Sequence, residues 1–289
     1  MRRAVLALLL LAALPHPTQA ATREGPMDAI GNVDYNHGPR FKVGDWVKYR
    51  TKGESLQGYQ TDYTVIMLIA GEEMWWGEKC FWLETHTFAA GEDTPEITAS
   101  LMSYSVFEDT LPSNRFTLYV RKTIDGLDEN ARYVQQPFRR AENDIKRRVG
   151  LPDPEQEFDT LGVGRVEVPK GAFDALRVRR VTRKSVTAQE GDSTVYYERV
   201  EDHTFWKSDQ IPITQLVKID MDNVQRRRVW MIGESKNAPL NVAEHAIGGM
   251  ELVDFGSGMK SVTIPERFQR PLSEQRAPSK PARPAGKRG

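Results

Sequence analysis

Apolar residues recur at every second position along most of this chain, and that rhythm constrains its fold more than any other feature. Side chains of a strand alternate between two faces, so a period of two marks strands with one face buried. Val47, Tyr49 and Thr51 share a face, as do Tyr63, Val65, Met67 and Ile69. Phe81 with Leu83, Met102 with Tyr104 and Val106, and Phe116 with Leu118 and Val120 complete a first group of strands. Glycine-rich and proline-bearing turns separate them. A second group comprises Val166 and Val168, Leu176 and Val178, Val195 and Tyr197, then Val217, Ile219 and Met221, with a last strand around Val229 to Ile232. Asp222-Asn223 reads as a turn ahead of it. The pattern predicts a mainly β fold, roughly ten serial strands in an antiparallel meander, open or curled into a partial barrel.

Between the two groups the period changes. Phe138, Ala141, Ile145 and Val149 recur at spacings of three and four, Pro137 suits a first helical turn and Gly150 ends it, which predicts a helix over Pro137 to Val149. Its polar face is basic, with Arg139, Arg140, Lys146, Arg147 and Arg148. Such a helix is expected to lid the concave side of the sheet. A short second helix is expected around Asn241 to Ala246.

The ends differ in kind from this core. Arg2 and Arg3, an apolar run from Ala4 to Leu14, and a small-residue exit at Thr18, Gln19 and Ala20 have the order of a secretory signal peptide. The run is well short of the roughly 20 residues that span a bilayer. Residues 1–20 are therefore expected to be removed on export to the periplasm or beyond. Residues 21–40 read as an irregular arm and 41–255 as one β domain. From 256 to 289 the chain reads as a disordered, proline-rich tail; Pro265 to Gly289 holds seven basic and two acidic residues within an overall balance of 40 against 40. Its functional reading is an electrostatic tether to an anionic envelope surface.

Chemistry-bearing motifs are scarce. No pair among His16, His37, His86, His203 and His245 has metal-ligand spacing, so neither a metal nor any other cofactor is expected. Gly162-Val163-Gly164 runs into a strand and Pro169 where a nucleotide-binding helix would start. Asp220 and Asp222 lie two apart on a strand and are expected to face water. Cys80, the only cysteine, sits in the run Cys80-Phe81-Trp82-Leu83 and is expected to be a buried structural thiol. Trp75 and Trp76, in a glycine-bracketed turn, are either core residues or an exposed interaction site. No catalytic residue, enzymatic activity or nucleic-acid partner is expected.

Val166, Val168, Pro169, Gly171, Phe173, Ala175, Leu176 and Val178 form a strand, a Pro-x-Gly-x-Phe turn and a second strand. Phe205-Trp206-Lys207-Ser208-Asp209-Gln210-Ile211-Pro212 then runs into Leu216-Val217-Lys218-Ile219. Together these stretches resemble the second half of the periplasmic LolA/LolB-like lipoprotein-carrier superfamily. The resemblance implies an incomplete antiparallel barrel of about eleven strands, with helices lidding a hydrophobic cavity for acyl chains or other apolar ligands. The inward positions Tyr63, Met67, Leu83, Tyr104, Leu118, Val178, Val217 and Ile219 are then the candidates to line that cavity. The alternative is an envelope interaction protein whose barrel is filled by its own side chains and whose basic tail binds anionic partners.

Overall fold

Strands of this length need long partners, and the chain supplies them by pairing its first strand with its last. The computed structural model describes residues 40–107, 119–125, 133–134, 155–231 and 238–275. Its strands are β1 (Trp46–Ser55), β2 (Gln60–Trp75), β3 (Glu78–Ala89), β4 (Glu96–Ser103), β5 (Val120–Asp125), β6 (Tyr133–Val134), β7 (Glu155–Val168), β8 (Gly171–Glu190), β9 (Ser193–Lys207), β10 (Leu216–Met231) and β11 (Asn241–Gly256). All lie in one 11-stranded antiparallel sheet, ordered β6-β5-β4-β3-β2-β1-β11-β10-β9-β8-β7. Two meanders are thus joined in the middle by the β1–β11 ladder, in register from Trp46↔Gly256 to Ser55↔Ala246. The two open edges, β6 and β7, are consecutive in the chain. The sheet is an unclosed, barrel-like antiparallel structure, as the alternation predicts.

The curl is visible where the β7–β8 turn folds back on β11. Lys170 donates its backbone N–H to the Leu252 carbonyl at 3.3 Å, and its ammonium pairs with Asp254. β9 and β10 lie between β8 and β11 in the sheet, so this contact requires the second meander to roll up. Val166, Phe173 and Ala175 of the turn's two strands accordingly join one core cluster with Leu216 and Leu252.

Several local expectations give way to pairing. Asn241–Ala246 is not helical but the start of β11, held to β10 by Val224↔His245 and Asn223↔Ala246. Asp222 and Asn223 are not a turn; they pair with Asp202 and Glu201 inside an unbroken β10. The strand expected through Tyr104 and Val106 ends at Ser103, and Tyr104–Phe107 forms a 3-10 turn. The proposed helix at Pro137 to Val149, the signal segment, Phe116 and Leu118 lie outside the described residues. Trp75 and Trp76 separate: Trp75 packs on the core and Trp76 is exposed, at the tip of a two-residue turn. Trp76 (φ 53°) and Gly77 (φ 85°) both take the left-handed conformation that a tight hairpin turn requires.

The middle strands are buried on both faces. One face carries Val47, Tyr49, Val65, Met67, Ile69, Phe81 and Leu83; the other carries Leu68, Ala70, Cys80, Trp82, Ala99 and Leu101. What covers the second face is the segment after β11. Ile264 is buried there and Phe268 packs beside it, so the tail expected to be disordered from residue 256 is laid down as a strap through Gln275. Residues 276–289 lie outside the described residues.

Two carboxylates pin the strap. Glu84 is buried; its Oε1 accepts from the Val262 N–H at 3.3 Å and its Oε2 from Thr263 at 3.3 Å, while the Ser261 hydroxyl also donates to it. Glu72 Oε2 accepts from the Leu272 N–H at 2.7 Å. Gly71 makes the close approach feasible, since a Cβ there would stand 2.7 Å from the Phe268 carbonyl carbon.

Candidate functional site: the inner face of the sheet

Residues opposite one another in an antiparallel ladder point to the same face, so the registers sort the inner face row by row. Val47 lies across from Met67, and Tyr49 from Val65. Leu83 opposes Ile69, Tyr49 opposes Leu252, and Ile219 sits between Met250 and Phe205. All are apolar and buried, in one cluster that spans both meanders. Tyr49 is the polar exception. Its phenol donates to the Leu216 carbonyl at 2.9 Å and also bonds Thr214; burial pushes its pKa far above the ordinary tyrosine value.

Of the residues expected to line a cavity, Met67, Leu83, Val217 and Ile219 lie within that cluster, and Tyr63 and Tyr104 pack against it half-buried. Val178 is half-buried on β8, opposite Phe205. Tyr104 is tied by its hydroxyl to Glu72 Oε1 at 2.6 Å, with the Lys79 ammonium 4.4 Å over its ring. Leu118 lies outside the described residues.

Continuing along β8, β9 and β10 away from the apolar rows, the same face turns polar without becoming exposed. Arg180 opposes His203 and Thr182 opposes Glu201; Met221 opposes His203, and Asn223 opposes Glu201. Arg180, Thr182, Glu201 and His203 are all buried. Arg180 Nη2 donates to His203 Nδ1 at 3.0 Å, which leaves the imidazole Nε2–H to donate to Asn223 Oδ1 at 2.9 Å. Burial, then the adjacent Arg180 charge, lowers the His203 pKa, so the ring is neutral. Glu201 receives Lys184 at 3.1 Å and Arg199 at 2.8 Å. The Arg180 guanidinium also lies 5.1 Å from the Phe205 ring centroid, which links the polar rows to the apolar ones. Strand alternation carried on from Val178 gives Arg180, Thr182 and Lys184, so this polar run is readable in the sequence although its burial is not.

On the outer face the carboxylate pair is engaged. Asp220 meets Lys218 at 3.0 Å and accepts from the Trp206 indole N–H at 3.2 Å; Asp222 meets His245 at 2.8 Å. Both carboxylates are about half exposed. Cys80 is buried, and burial, with Glu78 nearby, pushes its thiol up to about 12. Among the described residues, no group of three or more His, Cys, Asp or Glu is arranged to hold a metal ion.

No protein-family profile matches the chain, and no curated protein matches it. Two solved structures align over most of their own length. A candidate lipoprotein from Parabacteroides distasonis is 11% identical, with 76% of this chain and 97% of that one covered, at a TM-score of 0.32. A candidate exported protein with a YmcC-like fold from Bacteroides fragilis is 9% identical, with 76% and 98% covered, at a TM-score of 0.30. Superpositions at that level carry no inference about this chain, and the fold rests on its own strand order.

Proposed function

We propose that the chain is a non-enzymatic, exported binding or carrier protein that holds an apolar ligand, a lipid or acyl chain, against the inner face of its curled sheet. The observation that carries this reading is the inner apolar cluster of a sheet left open between β6 and β7, flanked by the half-buried Tyr63, Val178 and Met221. Two further features support it. The stretches that resemble the lipoprotein-carrier superfamily are the β7–β8 hairpin that curls the second meander and the β9–β10 connection, whose Ile211 and Ile213 pack on the cluster. The Arg2-Arg3 start and the apolar run after it fit export to the periplasm. Affinity would come from apolar area removed from water, at about 25 cal/mol per Å².

The test is mass spectrometry of an organic extract of the mature protein purified natively from a periplasm, alongside Val178→Arg checked for native circular dichroism. A stoichiometric lipid, lost in the folded variant, supports the carrier. An extract that stays empty after incubation with phospholipid and fatty acid overturns it. The packing of Met67, Leu83, Val217 and Ile219, each at most 4% exposed, favours a second reading in that event. The sheet would then be filled by its own side chains, and the basic residues from Arg276 to Arg288 would bind an anionic envelope surface.

A further inference from the structure

The β2–β3 hairpin closes on a tight turn whose first central residue is poorly suited to it. A two-residue turn of this hand needs positive φ at both central positions, and Asn-Gly or Asp-Gly meets that need with least strain. Here the pair is Trp76-Gly77, at φ 53° and 85°. Gly77 suits its place. Trp76 does not, because a bulky side chain in the left-handed region is strained. Packing does not offset the strain: Trp76 is 67% exposed and Met74, two residues before it, is 53% exposed. A Cβ on Gly77 would meet nothing within 4 Å. Strain retained at an exposed aromatic points to binding rather than to support of the fold.

The chemistry of the tip and its surroundings indicate what it binds. Tryptophan joins a large apolar ring to a single N–H, a combination suited to the boundary between acyl chains and headgroups. The carboxylates nearest the tip are engaged within the fold. Glu73 accepts from the Trp82 indole at 3.0 Å, and Glu78 from Arg121 at 2.7 Å. The strap then brings the basic end of the chain to this same hairpin. Gln275 donates to the Glu72 carbonyl at 2.7 Å, and the Leu272 N–H donates to the Glu72 carboxylate at 2.7 Å. Glu72 stands four residues from Trp76, about 13 Å along a strand. Residues 276–289 continue from there with Arg276, Lys280, Arg283, Lys287 and Arg288 and no acidic side chain.

We propose that the Trp76 tip, with Met74, is a membrane-docking point that enters the headgroup layer of an anionic bilayer, while the basic residues after Gln275 hold the lipid phosphates around it. Each part completes the other. One ring alone binds weakly, and the basic residues alone bind in a salt-sensitive way without orientation; joined through the strap, the second contact becomes intramolecular. The pairing sets which way the protein stands. The β2–β3 end of the sheet faces the bilayer, and the β1–β2 turn, at the other end of β2, faces away. This docking does not depend on the carrier reading, since a sheet filled by its own side chains would dock in the same way.

The experiment is co-sedimentation of the full mature protein with vesicles of phosphatidylcholine, or of an equimolar mixture with phosphatidylglycerol, together with tryptophan quenching by brominated lipid. Wild type should bind the mixed vesicles about tenfold or more tighter than phosphatidylcholine alone. Trp76→Asn places Asn-Gly in the turn, so it should equal or exceed wild type in urea stability. It should bind the mixed vesicles about tenfold more weakly and lose most of the quenching. A variant carrying Arg276→Gln, Lys280→Gln, Arg283→Gln, Lys287→Gln and Arg288→Gln should lose the preference for the anionic lipid. Met74→Ser should weaken binding about threefold, and it serves as the tip variant if Trp76→Asn does not fold. Wild-type affinity in the folded tip variant overturns the docking point and leaves a tether by the basic residues alone. Equal binding to both vesicles in wild type, or binding to neither, overturns the proposal. Concentration-dependent dimerisation that Trp76→Asn abolishes would assign the tip to a second copy and overturn it as well.

Discussion

Gly71→Ala tests whether the strap is part of the folded domain. The new methyl would meet the Phe268 backbone, with its carbonyl carbon 2.7 Å away and the Gln269 Cα 3.2 Å away. Neither is the end of a flexible side chain, so β2 or the 3-10 turn Glu266–Phe268 must move. Forcing extra volume into a packed contact costs about 1–3 kcal/mol. The upper bound is release of the strap, which exposes Ile264, worth about 2 kcal/mol of burial. It also breaks the bonds from Val262, Thr263 and Leu272 to the two carboxylates, each worth about 1 kcal/mol net. Urea unfolding of the mature protein should therefore lose about 1–3 kcal/mol, and no more than about 5. Amides of Ile264 to Leu272 should lose hydrogen-exchange protection before β2 and β3 do. Gly164→Ala, whose Cβ meets nothing closer than 3.6 Å, is the control and should change stability by under about 0.5 kcal/mol. Gly71→Ala at wild-type stability with strap protection intact would refute the close approach and the docking of the segment.

Three further outcomes follow from buried polar groups. Glu84 is held below the ordinary carboxylate pKa: burial opposes this, but the bonds from His86, Ser261 and Val262 prevail. Its contribution is therefore fully present above the unfolded value of about 4.3 and lost as pH falls through the depressed one. Urea midpoints between pH 3 and 7 should drop on the acid side in wild type, and less steeply in Glu84→Gln. Tyr49→Phe removes the hydroxyl that donates to the Leu216 carbonyl and accepts from Thr214, and should cost about 1–3 kcal/mol by chemical denaturation; a loss under about 0.5 kcal/mol would deny those bonds any net role. Cys80, buried and with its thiol near 12, should resist maleimide and disulfide reagents at pH 8 in the native protein and react once urea unfolds it.

Much of the architecture was legible because period two is a direct consequence of strand geometry, and Val47 to Thr51 or Tyr63 to Ile69 obey it. The failures have a common physical origin. Asn241 to Ala246 has ordinary helix formers in Ala243, Glu244 and Ala246, yet ten residues of β10 stand ready to pair with β11, and the ladder overrides local propensity. Asp222-Asn223 has turn chemistry, but its backbone groups already have partners on β9. The strap was misjudged from the composition after Pro265. The runs Val65 to Ala70 and Cys80 to Leu83 nevertheless carry apolar residues at odd and even positions alike, the mark of strands covered on both faces, and some segment had to supply that cover. On the inner face the apolar rows are legible by alternation, whereas the burial of Arg180 beside Phe205 and His203 depends on pairing across β8 and β9, which a charged residue in the sequence does not announce.

The β1–β11 ladder also dictates when the molecule can finish folding. Each meander is built from neighbours in sequence, so its hairpins can zip as soon as they exist. Trp46 and Gly256 are partners across most of the chain, and bringing them together closes the longest loop among the described ladders. The centre of the sheet is therefore expected to be the last ladder to form. A chain halted before β11 presents β1 as a bare strand edge, open to capture by another chain. Slow refolding, and aggregation of chains truncated between Met231 and Asn241, are the outcomes this strand order predicts.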